Sequence, residues 1–397
     1  MANKDIFYLE SVFPEADKVF SSNYPTIEEI KKKCIFILDT NILFVPFDTS
    51  EKSLAVIGEI FKQLKVDSRL FLPARVAREF AKNRGKTIGD VFLKIRQKKN
   101  GLNSGGFKID DYPILEHNDD FIKLKENFSA IRKLISESRE LFSNIENYIL
   151  SWNWNDPVSN TYKEIFTPDI VIEMKKSQED LEKDLKFRIE HKIPPGFKDS
   201  GKIDDGVGDL IVWQTVLEIG KDKNMNVILV SNDQKNDWYY IQDKTGLYPR
   251  FELFDEFRRF TNGNSIAMIN FPQLLKMYNA SEDIVDEVEN SIRELQEHKQ
   301  NISEILWLRR NIEIEMRSIV QSYLSDEQKD RFEKRFMNIS IMINIMKEND
   351  LFSQHFLREL MSFYQVASRA AHEVVNLEPQ YIEMGKIILR TLKENNK

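Results

Sequence analysis

Two uninterrupted apolar runs each end in an acid: Cys34-Ile35-Phe36-Ile37-Leu38 before Asp39, and Val227-Ile228-Leu229-Val230 before Ser231-Asn232-Asp233. Short runs rich in β-branched and aromatic residues predict strands buried on both faces of a parallel sheet. Around them the apolar spacing turns helical. Ser50 or Thr49 can cap a helix from Glu51 that carries Leu54, Ile57, Ile60, Phe61 and Leu64 on one stripe. Leu70-Phe71-Leu72-Pro73 predicts a second strand, followed by a helix through Val76 and Phe80, and residues 99–106 read as a loop. Residues 118–190 are charged and helical, with Phe121, Leu124, Phe128, Ile131, Leu134 and Ile135 expected along one packed face. Trp152-Asn153-Trp154-Asn155-Asp156-Pro157 breaks that stretch, and Ile193-Pro194-Pro195-Gly196 closes it. A helix from about Asp204-Asp205, bearing Leu210, Ile211, Trp213, Val216 and Leu217 and stopped at Gly220, leads into the second apolar run. A helix over 251–260, a weaker strand over 265–269 and a short helix over 271–278 follow.

The alternation predicts an α/β domain with a central parallel sheet and helices on both faces. Residues 1–33, polar with scattered aromatics such as Phe7, Phe13 and Phe20, read as an N-terminal arm. The α/β domain spans 34–279, with a helical insertion at about 118–195. From about Ala280 only long amphipathic patterns remain (282–322, 326–348, 351–375 and 378–394), which predicts a separate all-helical domain over 280–397. Ser281-Glu282-Asp283 suits the first helix N-terminus of that domain.

At 397 residues the chain can hold two or three cores, and a net charge of −7 excludes a strongly basic nucleic-acid coat protein. It does not exclude a nuclease, since a local basic rim can steer a polyanion. Cys34 is the single cysteine, so no intramolecular disulfide can form and a cytoplasmic location is expected. No run approaches the roughly 20 apolar residues that span a bilayer, and the N-terminus lacks the pattern of a secretion signal. No membrane association is expected.

Four carboxylates then acquire chemical meaning: Asp39, Glu79, Asp209 and Asp233. If the strands bearing Asp39 and Asp233 are adjacent and parallel, both acids enter one crevice at the carboxyl edge of the sheet, where open α/β sheets bind ligands. Glu79 lies under two helical turns past the second strand, and Asp209 lies early in the helix before the Val227 strand. Carboxylates without accompanying His or Cys favour a hard cation such as Mg²⁺ or Mn²⁺. Such ions suit phosphodiester chemistry. Each acid also has an ordinary reading. Asp39 can cap a turn, Glu79 can pair with Arg75 four residues earlier, Asp205 competes with Asp209, and Asp237 with Asp233.

These motifs, Leu38-Asp39-Thr40-Asn41, Val76-Ala77-Arg78-Glu79-Phe80, Gly208-Asp209-Leu210-Ile211-Val212-Trp213 and Val230-Ser231-Asn232-Asp233 with Lys235 and Asp237-Trp238, resemble the PIN-domain nucleases. The likeness is nearest to the bacterial PIN-like branch with a helical insertion before the third acid, and it covers roughly residues 34–270. It implies a three-layer fold and a Mg²⁺- or Mn²⁺-dependent nuclease, a ribonuclease rather than a deoxyribonuclease, leaving a 5′-phosphate. It also implies that Asp39, Glu79, Asp209 and Asp233 hold the metal, with Asn41 or Ser231 supporting them by hydrogen bonds and Asp205 and Asp237 as alternates. HAD phosphatases need a second Asp two residues after the first, and Asn41 stands there instead. Arg75, Arg78, Lys82 and Lys235, with Arg84, Lys86, Lys198 and Lys202 nearby, would form a phosphate-backbone rim; any one of them also fits a solvated helix face. Trp152 and Trp154 suit packing of the insertion more than base stacking.

In the C-terminal region, residues 306–313 and 366–373 weakly resemble HEPN-like helical domains. Arg369 and His372 are three apart, closer than the nuclease members of that group place their Arg and His. That region therefore reads as a regulatory module, for a homodimer or another partner. An effector of a toxin or antiphage system, held off until a signal arrives, is one organisation this permits.

Overall fold

The structure is a computed structural model describing residues 5–21, 25–197, 206–233, 235–243, 245–324, 338–372 and 379–396. Short helices α1 (Tyr8–Val12) and α2 (Ile27–Ile30) precede β1 (Cys34–Leu38), whose five residues are all buried. Then come α3 (Thr40–Phe44), α4 (Glu51–Val66), β2 (Leu70–Pro73), α5 (Ala74–Gly101), α6 (Asp119–Leu150), α7 (Pro157–Ile165), β3 (Val171–Ile172) and α8 (Gln178–His191). The domain continues through α9 (Val207–Lys223), β4 (Asn226–Val230), β5 (Tyr239–Gln242), β6 (Thr245–Pro249), α10 (Phe251–Phe260), β7 (Ile266–Ile269) and α11 (Phe271–Met277). Among the described residues, four further helices follow: α12 (Glu282–Gln321), α13 (Ile339–Glu348), α14 (Gln354–His372) and α15 (Pro379–Asn395).

The main sheet has five parallel strands in the order β3-β2-β1-β4-β7. β1 and β4 are neighbours over their whole length, with Cys34 opposite Asn226 and Leu38 opposite Val230. Strand order runs outward from β1 through β2 to β3, then returns to add β4 and β7 on the other side. With right-handed crossovers that reversal puts α4 on one face and α9 and α10 on the other, giving three layers. The reversal also makes the carboxyl ends of β1 and β4 the switch point of the sheet. Ser50 caps α4 by accepting from Ser53 N, and Leu54, Ile57, Ile60, Phe61 and Leu64 are buried as their spacing predicts.

Several expectations need correction. α5 runs unbroken to Gly101, three residues into the expected loop, where Glu146 of α6 accepts from Lys99 Nζ at 2.7 Å and Arg96 Nε at 3.1 Å. On α6, Phe121 is buried and Phe128, Ile131 and Ile135 are half-buried, but Leu124 and Leu134 point outward, 37% and 61% exposed. β3, within the three-residue apolar run Ile170-Val171-Ile172 between Asp169 and Glu173, carries too little apolar pattern to predict, yet it pairs with β2. The β5–β6 hairpin was likewise not predicted. Arg84, placed above on a solvated rim, is 6% exposed and bound to Asp156, itself 0% exposed.

Gly220 does not stop α9, which continues to Lys223 and ends at Asn224 in the left-handed conformation. Its role is space: a Cβ there would come 2.6 Å from Phe257 Cζ, where α10 crosses. Gly220→Ala is therefore expected to destabilise the domain by about 1–3 kcal/mol, as overpacking does, read as a lower denaturant midpoint at unchanged m-value. A midpoint equal to wild type would show that Phe257 yields freely.

Contacts divide the chain into two compact units, Met1–Ser291 and Ile292–Lys397. The second has its own core, in which Leu308, Ile312 and Met316 of α12 meet Met342 of α13, Leu360 and Phe363 of α14, and Leu389 of α15. The Arg369–His372 spacing falls in α14, and the side chain of His372 lies outside the described residues. No helix among the described residues is long and apolar enough to cross a membrane.

Candidate metal centre at the carboxyl edge of the sheet

β1 delivers Asp39 to the sheet edge, and the chain turns at once into α3. Asp39 caps that helix, its Oδ1 accepting from Thr40 N at 2.7 Å. Its Oδ2 accepts from Ser231 Oγ at 2.6 Å and from the Asn41 side-chain amide. Asn41 in turn accepts from Asn232 N at 2.8 Å, and Asn232 accepts from Phe271 N at 3.0 Å. Side-chain bonds thus stitch together the ends of β1, β4 and β7, where the backbone ladder has run out.

Asp39, Asp209 and Asp233 line a single cavity with Ser231, and Trp238 and Tyr239 form part of its wall. Val212, Leu229 and Met268 add apolar surface, so the acids face a weakly solvating environment. Asp209 reaches the cavity from the first turn of α9. That helix is fixed from behind: buried Arg188 of α8 bonds Asp184 at 2.8 Å and contacts Glu256, which accepts from Trp213 Nε1 at 2.8 Å. Gln214 Nε2 donates to Asp184 at 3.0 Å. One misplaced turn of α9 would carry Asp209 out of the site, and this network prevents it.

Burial pushes the Asp39 carboxyl above its ordinary value, a rise that the Ser231 and Thr40 hydrogen bonds oppose and the Asp233 charge reinforces. Asp209 is pushed up to about 7, first by burial and further by Asp39, Asp237 and Asp233, against the pull of Lys235. Its Oδ2 is buried and accepts no hydrogen bond, and Lys235 Nζ lies 3.6 Å away. Asp233 accepts from Lys235 N at 3.1 Å and pairs with Lys235 Nζ at 2.8 Å.

Glu79 stands beside the cavity, outside its lining. Thr40 Oγ1 donates to its Oε2 at 2.7 Å and Arg75 Nε to its Oε1 at 2.6 Å. A Cβ on Gly208 would meet Glu79 Oε1 at 3.0 Å, so the glycine lets α9 pass close to that pair. Asp237 is fully buried and also outside the lining; its Oδ2 accepts from Gly196 N at 3.1 Å, and its Oδ1 is unpartnered. Asp204, Asp205, Lys198 and Lys202 lie outside the described residues.

Of the basic rim residues, Arg75 serves Glu79, Arg78 pairs with Glu173, and Lys82 and Lys86 are exposed on α5. Trp154 is 45% exposed, with the Arg84 guanidinium 4.4 Å from its ring. Trp152 meets Tyr148 edge-on at 5.4 Å. Thr40, Asn232 and Gly208 were missed as supporting residues, although all three lie inside the quoted motifs; their partners are 39 or more positions away in the chain.

The donor set suits a hard divalent cation: oxygens only, all from carboxylates, one of them buried without a partner. Among the described residues, no three His, Cys, Asp or Glu side chains are already arranged around a common ion. Fit here therefore rests on the oxygen-only donor chemistry and on the three acids lining one cavity.

The sequence pattern of a family described as PIN-like domain matches residues 35–253. No curated protein and no solved structure matches the chain.

Proposed function

The chain belongs to the PIN-like domain family, and on that premise we propose that it is a metal-dependent nuclease that hydrolyses phosphodiester bonds, acting on RNA. The family has a nuclease-type fold, its members bind nucleic acid, and its nucleases typically use divalent metals. The observation that carries the reading is the convergence of Asp39, Asp209 and Asp233 on one cavity at the switch point of the sheet.

In this reading Asp39, Asp209 and Asp233 would hold Mg²⁺ or Mn²⁺, with Glu79 joining from the rim. A bound ion would supply activation of a water and stabilisation of charge on the leaving oxygen. The residues of the chain do the rest. Ser231 and Asn41 hold Asp39 in one rotamer, and Thr40 and Arg75 hold Glu79. The apolar wall reduces the screening of the acids by water. Lys82 and Arg78 face solvent on α5, where they can contact phosphates without reading sequence.

Purified protein is expected to cut single-stranded RNA when Mn²⁺ or Mg²⁺ is added and to stop when a chelator is added. RNA left intact under both metals would end the enzyme reading. A second reading, a PIN-like scaffold that holds nucleic acid or a protein partner without turnover, draws on one observation: Lys235 already pairs with Asp233 and approaches Asp209. Calorimetry separates the two. The nuclease reading expects Mn²⁺ binding heat at millimolar or lower concentration, the scaffold none.

A further inference from the structure

Two carboxylates of the candidate centre share one ammonium. Lys235 Nζ lies 2.8 Å from Asp233 Oδ2 and 3.6 Å from Asp209 Oδ2. Its backbone N–H donates to Asp233 Oδ1 at 3.1 Å, so one residue engages both oxygens of the same carboxylate. The lysine side chain is 33% exposed, against 29% for Asp209 and 26% for Asp233. It is turned into the acid cluster, whereas a surface lysine forming an ordinary ion pair keeps its head in water. Its charge also acts on Asp39 and Asp237.

We propose that Lys235 is the built-in counter-cation of this site, neutralising Asp209 and Asp233 and competing with a divalent ion for them. The proposal rests on the metal-dependent reading above and adds its regulation: an ion enters only by displacing the ammonium, so Lys235 raises the metal concentration at which the site fills. An ammonium and a divalent ion held by the same carboxylates repel one another, and the apolar walls of the cavity screen that repulsion little, so each weakens the other's hold. The ion carries twice the charge of the lysine and wins when concentrated enough. The lysine is tethered two residues from Asp233, so it faces the site at a fixed high effective concentration. A lysine that merely oriented the ligands would have the opposite effect, and its loss would weaken metal binding.

The test uses the full chain, stripped with chelator and titrated with MnCl₂ by calorimetry, comparing wild type with Lys235→Met and Lys235→Arg. Lys235→Met keeps most of the side-chain volume and removes the charge. It is expected to bind Mn²⁺ about tenfold more tightly, within the range usual for coupled sites, and to melt at a lower temperature than wild type when metal-free. Lys235→Arg retains a competing cation and is expected to bind no more tightly than wild type. Should circular dichroism show that Lys235→Met does not fold, Lys235→Gln takes its place. Equal or weaker Mn²⁺ binding by the neutral variant overturns the counter-cation and leaves the metal reading standing. No Mn²⁺ heat in any of the proteins overturns both.

Discussion

Asp39→Asn is expected to abolish RNA cleavage under Mn²⁺ or Mg²⁺, a loss on the order of a thousandfold or more, while the protein stays folded. Asn is the same size as Asp and can still accept a hydrogen bond with its one carbonyl oxygen, but it contributes no charge to an ion. Several kcal/mol of stabilisation leave with that charge, and about 4 kcal/mol corresponds to roughly a thousandfold in rate. Stability moves the other way. Burial raises the carboxyl of Asp39 and drives that of Asp209 to about 7. Between the unfolded value of about 4 and these raised values, the native state binds more protons than the unfolded chain. The share of stability that these two groups contribute to the metal-free protein therefore falls as pH rises from about 4 to about 7, and is lowest above that window. Asp209→Asn removes its share of this penalty, so in chelator at pH 8 it should melt above wild type, and the difference should vanish near pH 4. Unaltered cleavage by Asp39→Asn, or an Asp209→Asn curve parallel to wild type, would contradict the electrostatic account of the site.

The second large effect lies away from the cavity. Asp156→Ala is expected to destabilise the first unit by about 3–5 kcal/mol, the usual consequence of breaking one partner out of a buried ion pair. Asp156 Oδ2 accepts from Arg84 Nε at 3.0 Å, and its Oδ1 caps α7 by accepting from Ser159 N at 2.9 Å. Arg84 also donates to Ser159 Oγ at 2.8 Å. Burial alone would raise the Asp156 carboxyl, but Ser159 and Arg84 together bring it below its usual range. Alanine leaves the 6%-exposed guanidinium without its counter-charge and takes the N-cap of α7 with it. Urea unfolding reads the loss as a lower midpoint. Combining Arg84→Met with Asp156→Asn should recover much of it, because the charge is removed while an N-capping side chain remains. A double variant as unstable as Asp156→Ala would mean that the cap or the packing dominates over the pair.

How the chain could be read follows from how far each signal reaches. β1 and β4 were legible because a strand buried on both faces must be apolar at every position. α4 and α10 were legible because each buries one stripe and solvates the rest. β3 was not, since two residues at a sheet edge need only backbone partners, which β2 supplies. The extra length of α5 meets Glu146, some fifty positions away, and the exposure of Leu134 depended on how α6 lies against its neighbour. Arg84 looked like its basic neighbours on α5, and only the arrival of Asp156 makes it an interior residue.

The sequence by itself determined that Asp39 and Asp233 would stand at strand ends, because the apolar runs that precede them are short and rich in β-branched residues. It also carried Asp209 to the start of a helix, and the order of motifs that marks the family. Only the tertiary structure decided which of these acids share a cavity. Proximity depends on the neighbouring of β1 and β4 and on the buried Arg188 network that fixes α9. The same packing set Glu79 beside the cavity and Asp237 outside its lining, and turned Lys235 toward Asp209 and Asp233. Pairing along the chain is written in local pattern, whereas which charges meet across 150 or more residues depends on how the sheet is ordered and how the helices cross it.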